Sequence, residues 1–242
     1  MSNTIYRLDR HVGDICMINS KNIYTHFGAY VKSHSLTPGS ISHNISKSVG
    51  GSSLKSSSYK MGIAGLKLIL YVGGATEEIC SLNTSNIISE GQNCIIRIGE
   101  EDFEFAATLT SFSLRETGID TYQEVELSFQ AIKRLPLVTV RFESGQGIFR
   151  NSGTAPSGVL MEILPKEDLE VLQVNEITIN RLTRNQPFII DGLEGKVLCN
   201  GVNRFLDTDL IDFPQVSPGV NQLRTSTDKV DITLKFYPTF LI

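Results

Sequence analysis

Residues 229 to 240 read KVDITLKFYPTF, and their alternation decides the fold. Val230, Ile232, Leu234 and Phe236 fall on one side; Asp231, Thr233 and Lys235 fall on the other. A period of two marks a strand with one buried face. A slip of one residue would bury Asp231 and Lys235, so the register is firmly set. The preceding stretch, DFPQVSPGVNQL (212–223), is of another kind. Pro214 and Pro218 fix φ and lack an N–H, which excludes a central strand. Pro218-Gly219 suits the two central positions of a type II turn, where glycine supplies the positive φ. The stretch therefore predicts a corner that turns Val220–Arg224 into a hairpin with Val230–Tyr237.

The same pattern extends back to Leu135-Pro136. Strands are expected at 137–142, 158–164, 176–180, 187–190, 195–199, 220–224 and 229–237. Asn151-Ser152-Gly153, Asp191-Gly192, Asn200-Gly201 and Pro218-Gly219 punctuate them. Short strands at near-regular spacing with turn signals between them indicate a β-sandwich. LPKEDLEVL (164–172) has room for one helical turn at most.

The first half reads differently. Residues 1–31 hold short apolar clusters, enough for a strand or two. Residues 33–58 are rich in serine and glycine and predict a long loop, functional or ordered only by a partner. From Lys60 to Val72 a buried strand is expected, with Leu66, Leu68, Leu70 and Val72 on one face. Thr76-Glu77-Glu78 has the form of a helix start, a capping hydroxyl followed by two acids. Ile79, Leu82 and Ile87 would share the buried helical face, and Gly91 would end the helix. Residues 93–98 and 102–114 predict a hairpin around Gly99-Glu100-Glu101. In 122–132, Val125, Leu127, Phe129 and Ala131 alternate with polar residues.

Composition bounds the function. The chain has 242 residues, 40% apolar and 20% charged, with a net charge of −4. Neither half is basic, which argues against a nucleic-acid partner held through phosphates. The longest apolar run, 61–72, is interrupted by Lys67 and is too short for a membrane span of about 20 residues. With no apolar signal core at the start, the expectation is a non-secreted chain without membrane insertion. Cys16, Cys80, Cys94 and Cys199 lie far apart and read as small buried hydrophobes in a reducing compartment.

A search for chemistry finds no catalytic motif. Gly145-Gln146-Gly147 starts a dinucleotide fingerprint, but Arg150 stands where its third glycine belongs. His26, His34 and His43 lie in or beside the polar loop and read as solvated histidines. Asp207, Asp209 and Asp212 lack the glycine and terminal Glu of a calcium loop and read as an exposed acidic connection. Glu100, Glu101, Asp102 and Glu104 read as a solvated hairpin tip that discourages edge pairing. No catalytic, cofactor or metal site is expected, and no enzymatic activity.

Three stretches in order carry a resemblance: NSGTAPSG (151–158), ITINRLTRNQPFIIDG (177–192), and FPQVSPGVNQL (213–223) running into KVDITLKFYPTF. Together they resemble the C-terminal part of phage distal tail proteins, the hub proteins of long non-contractile tails. The order of elements in 60–136 is similar to the ring-forming domain of that family. The resemblance implies a mainly β protein. A ring-forming β-sandwich with one helix and a hairpin (1–135) would precede a galectin-like β-sandwich (136–242). It implies a homohexameric ring between tail tube protein and tail tip, holding a tail-tip or tail-associated lysin protein and a receptor-binding protein. The location implied is the virion tail tip, after assembly in the host cytoplasm. A lectin-like module that contacts cell-wall polysaccharide is the alternative. The chain has no Trp, so Tyr237 is its candidate sugar platform.

Overall fold

The computed structural model describes residues 15–39, 41–47, 54–61, 63–99 and 102–241, and for 41–47 and 54–61 the backbone alone. The chain is mainly β. Its described residues form two compact units, one running to Lys133 and including Leu241, the other Arg134–Phe240.

In the first unit the elements are β1 (Cys16–Ile18), β2 (Lys21–Asn22), α1 (Ile23–Phe27), β3 (Ala29–Thr37), β4 (Ile41–Lys47), β5 (Leu54–Met61), β6 (Ala64–Gly73), α2 (Glu77–Glu90), β7 (Asn93–Ile98), β8 (Glu104–Glu116) and β9 (Tyr122–Arg134). Seven strands make one sheet in the order β2-β1-β7-β8-β9-β6-β3. The two strongest alternations of this half are sheet neighbours. β6 and β9 pair antiparallel with Leu66 opposite Phe129, Leu68 opposite Leu127 and Leu70 opposite Val125. All six side chains are buried. Each apolar row thus lies beside an apolar row, which is the unit of sheet stabilisation.

α2 starts at Thr76, whose hydroxyl accepts from the Ile79 N–H. Its buried face differs from the expected one. Cys80, Thr84 and Ile87 are buried, whereas Ile79 and Leu82 are 42% and 57% exposed. The buried stripe begins one residue later because it carries small groups with hydrogen-bond partners. The Cys80 thiol reaches the Val72 carbonyl and the Thr84 hydroxyl donates to Gln123. A second, short helix, α1, was not legible from hydrophobic period. Its signal is a cap: the Asn22 side chain accepts from Tyr24 and Thr25 N–H, and Gly28 ends it at φ +56.

The described residues of the polar segment are mostly strand and not loop; positions 40 and 48–53 of the expected loop lie outside the described residues. Residues 33–37 continue β3, which pairs with β6, and β4 pairs with β5 as a separate two-stranded sheet. Ladder hydrogen bonds come from the backbone, so a serine-rich composition limits burial without preventing pairing. His26 consequently lies in α1, His34 in β3 and His43 in β4. At the β7–β8 turn Gly99 takes φ +77. Glu100 and Glu101 lie outside the described residues. Glu104 is no solvated tip: it is buried and accepts from Arg97 at 2.9 Å.

The second unit contains β10 (Val138–Phe142), β11 (Gly147–Asn151), β12 (Ser157–Pro165), β13 (Leu169–Val174), β14 (Ile177–Leu182), β15 (Phe188–Asp191), β16 (Lys196–Cys199), β17 (Val202–Asn203), a 3-10 turn (Phe205–Asp207), β18 (Gln215–Val216), β19 (Gly219–Leu223) and β20 (Val230–Phe236). The main sheet runs β10-β20-β12-β15-β16-β17, with β18 beside β12. Val230, Ile232, Leu234 and Phe236 are buried, with Met161, Ile163, Phe188 and Ile190 from neighbouring strands. The pairs β11–β19 and β13–β14 supply Phe149, Leu223, Leu172, Val174 and Ile179 to the same core. The Phe149 and Phe236 ring centroids are 5.9 Å apart. This is a sandwich with one full sheet and two small ones.

One expectation is corrected here. β19 pairs with β11, Val220 opposite Arg150, and not with β20. Between β19 and β20 the chain is drawn away by backbone bonds: Asn175 N–H to Arg224 O at 2.8 Å and Ser226 N–H to Gln173 O at 2.9 Å. The chain thus changes sheets at 224–229, and β20 enters between β10 and β12. The segment 164–172 holds no helical turn; after Pro165 it becomes β13, paired with β14.

Candidate assembly surfaces

The signature residues of the second half converge at one end of β12, where they form a turn lock. Asn151 is buried. Its Oδ1 accepts from the Gly153 N–H at 2.9 Å and its Nδ2 donates to the Val216 carbonyl at 3.2 Å. Ser157 Oγ accepts from the Thr239 N–H at 3.2 Å, and the Thr239 carbonyl accepts from Thr154 and Ala155. Asp191 Oδ1 accepts from Leu193 and Glu194 N–H, an Asx turn. Asn221 clips the Pro218-Gly219 turn, accepting from Ser217 N–H and donating to the Ser217 and Gly219 carbonyls. The glycines of the signature serve close approach. A Cβ on Gly192 would stand 2.8 Å from the carbonyl oxygens of Pro214 and Val159, and one on Gly158 would stand 2.7 Å from the Gly192 carbonyl. The hydrogen bonds of this lock close turns, so the motif serves folding.

The acidic trio separates. Asp207 is buried and forms ion pairs with Arg181 and Arg204; Asp209 and Asp212 are exposed. The expected exposed connection thus has a buried anchor, neutralised by two arginines that lie far from it or outside the pattern in sequence. The Arg204 guanidinium, with Arg181 beside it, holds the Asp207 carboxyl below its ordinary value. Asp209 accepts from the Thr178 N–H, which lowers it too. Pinned at Asp207, the segment presents Leu206 and Ile211 at 95% and 94% exposure, with Phe205 and Val202 also exposed. No hydrophobic pattern announced this, because two apolar residues in a polar loop carry no period.

A depressed folded pKa makes the anchor pH-dependent. Its stabilisation is present above the unfolded carboxyl value of about 3.9 and is lost as pH falls through the lowered folded value. Asp207→Asn keeps the shape and removes the charge. At pH 7 the variant is expected to be about 1 kcal/mol less stable, the arginines being partly solvated. Urea midpoints of the two proteins should converge as pH falls below that lowered folded value; a gap independent of pH would show that charge does not hold the loop.

The remaining sequence candidates are placed as follows. Cys16, Cys80 and Cys94 are buried and Cys199 is half-buried, and none of the four is in a disulfide. Burial pushes the Cys94 thiol up to about 12, which leaves it unreactive at neutral pH. Tyr237 has its ring covered by the Arg134 guanidinium, 3.6 Å from the centroid, so the proposed platform is occupied by the protein's own side chain. Gly145 turns at φ +66 against Thr225 and Val230, as a corner residue.

On the first unit, a groove of about 310 Å³ lies between α2 and β8. Phe112 and Leu114, both exposed, form its apolar wall with Ile88, and Ser81, Ser85 and Gln123 line the rest. A second depression, of about 610 Å³, is polar and holds the Lys21–Glu90 ion pair at 2.5 Å, which lowers the Glu90 carboxyl. Among the described residues, the β4–β5 arm has no third strand.

No protein-family model matches the sequence, and no curated protein is significantly similar to it. Solved structures do match in fold. The Dit protein of phage SPP1, described as a paradigm of the hub adsorption apparatus in phages that infect Gram-positive bacteria, superposes with a TM-score of 0.70. That match covers 94% of this chain and 99% of the SPP1 chain at 13% identity. A chain of the phage p2 baseplate in its activated conformation with strontium gives a TM-score of 0.52, covering 92% and 97% at 12% identity. The calcium form gives 0.50, covering 88% and 92%, also at 12% identity. The chain has a Dit-like fold.

Proposed function

We propose that the protein is the distal hub of a phage tail. Six copies form a ring that joins the tail tube to the tail tip and anchors a tail-tip or receptor-binding protein. The observation that carries this reading is the end-to-end likeness to the SPP1 hub, which spans both units and leaves almost nothing of either chain over. The surfaces fit the work. A ring needs heterologous contacts between copies that close on themselves, and the first unit carries a β4–β5 arm that has no third strand among the described residues, and an apolar groove beside α2. An anchored partner needs apolar contacts on a rigid support, and Leu206 and Ile211 stand on a loop pinned by Asp207. In this reading the protein is structural and not an enzyme. It resides in the virion tail after assembly in the host cytoplasm.

Mass-resolved gel filtration with negative-stain imaging tests the proposal. The expected result is a six-fold ring with an open centre. A monomer whose mass does not change with concentration would overturn it.

A further inference from the structure

The second unit leaves apolar side chains bare at two places, and the charges around them are opposite. The first place is the loop pinned by Asp207. Ile211 is 94% exposed there, with the exposed carboxylates of Asp209 and Asp212 on either side of it in the chain. The two arginines beside this loop, Arg181 and Arg204, are taken by the buried Asp207. The rim of this apolar knob is therefore acidic. The second place is the outer face of the β11–β19 pair. Phe149 and Leu223 pack into the core. The alternation then sends Ile148 and Val220 outward, at 70% and 73% exposure. Arg150 lies opposite Val220, and Gln222 lies opposite Ile148. Arg150 and Arg224 are exposed, Arg224 donates to Gln222, and neither strand carries a carboxylate. The rim of this face is basic.

The topology holds the two places apart. Thr225, just after β19, bridges to Val174 on β13, and Ile179 on β14 bridges to Thr208. The opposing layer is thus one row, β11-β19-β13-β14, with the knob beyond its last strand. From β11 to Thr208 the row spans roughly 19 Å at about 4.8 Å per strand spacing, so the knob does not reach the β11–β19 face of its own copy. We propose that the knob of one copy seats on the β11–β19 face of a second copy, Ile211 against Ile148 and Val220, with Asp212 facing Arg150. The match of charge argues for this occupant, since one chain carries both the acidic knob and the basic face that complements it. Either surface paired with itself would set like charges together. The contact joins two different surfaces, so it is heterologous and can repeat around a ring. The proposal rests on the ring reading, because so small a contact needs copies already held together, where effective concentration makes weak contacts count. Ile211 goes to the neighbouring copy and Leu206 stays bare for an anchored partner, so the pinned loop serves both joints.

Two full-length proteins with added cysteines test it, Ile148→Cys and Ile211→Cys. Circular dichroism confirms that each folds. Under copper–phenanthroline oxidation, an equimolar mixture should give a disulfide-linked dimer of one of each. The yield should exceed that of either protein alone by at least about tenfold, with wild type, whose Cys199 is half-buried, as the background. Adding Arg150→Glu to the first protein should lower the yield at least about threefold, and adding Asp212→Arg to the second should restore it. Negative-stain imaging of the same samples reads the ring. Rings without the mixed disulfide overturn the contact and leave the ring standing. Equal yields from the mixture and from either protein alone also overturn it. So does a yield that Arg150→Glu leaves unchanged or that Asp212→Arg fails to restore. Monomers without the disulfide overturn ring and contact together.

Discussion

Replacing Phe236 by alanine is expected to lower the stability of the second unit by about 3–5 kcal/mol, the range for removing a buried aromatic side chain. Phe236 is fully buried at the end of β20, and two strands hold its backbone on either side, Val138 on β10 and Val159 on β12. Phe149 from the opposing layer packs against its ring, and Phe142 packs against Phe149 in turn. The cavity would lie in mid-sandwich. A ladder paired on both edges cannot move in to fill it, so little of the transfer loss is recovered by collapse. Lys235→Ala, one residue away, is the control. Its side chain is on the outer face, 3.5 Å from Glu162, in an exposed pair. That pair contributes well under about 1 kcal/mol. Chemical denaturation followed by circular dichroism reads both variants. Equal losses for the two would mean that the alternation does not set the faces of β20.

The alternations that sequence reading relied on, at 66–72, 125–131 and 230–236, are the buried rows of the two sheets. They were legible because a period of two is local and each strand reports its own burial. What sequence could not show is which strand lies beside which. The pairing of β11 with β19 joins Phe149 to Asn221 across more than seventy residues, and nothing in either strand names the other. The proline corner suggested a hairpin because hairpins are the shortest solution; the bonds of Arg224 and Ser226 to the β13–β14 hairpin chose another. On α2 the apolar residues Ile79 and Leu82 misled, since the sheet accepts Cys80 and Thr84 instead. There the closeness of packing matters more than hydropathy. The assembly surfaces were the least legible part. Leu206 and Ile211 are ordinary residues until the fold strips them of cover.

The glycines of the turn lock separate two reasons for having no side chain, and the second large effect follows from the difference. At Gly219 the backbone has φ +86, but nothing lies within 4 Å of a built Cβ. Alanine there meets only the left-handed strain, about 1–2 kcal/mol. At Gly153 the obstacle is another segment. A Cβ would stand 2.4 Å from the Thr239 carbonyl oxygen and 2.7 Å from its nitrogen. Both are backbone atoms, and both are already committed: that carbonyl accepts from Thr154 and Ala155, and that N–H donates to Ser157. Thr239 cannot retreat without breaking these bonds. Gly153 cannot retreat without releasing Asn151, whose buried Oδ1 would then lose the Gly153 N–H. Gly153→Ala therefore combines overpacking with an unsatisfied polar group and is expected to cost about 3 kcal/mol or more. Gly153 should thus exceed Gly219 in the shift of the denaturation midpoint by a factor of about two. The reverse order would mean that the stability of this corner lies in the Pro218-Gly219 turn and that the Asn151 contacts are incidental to it.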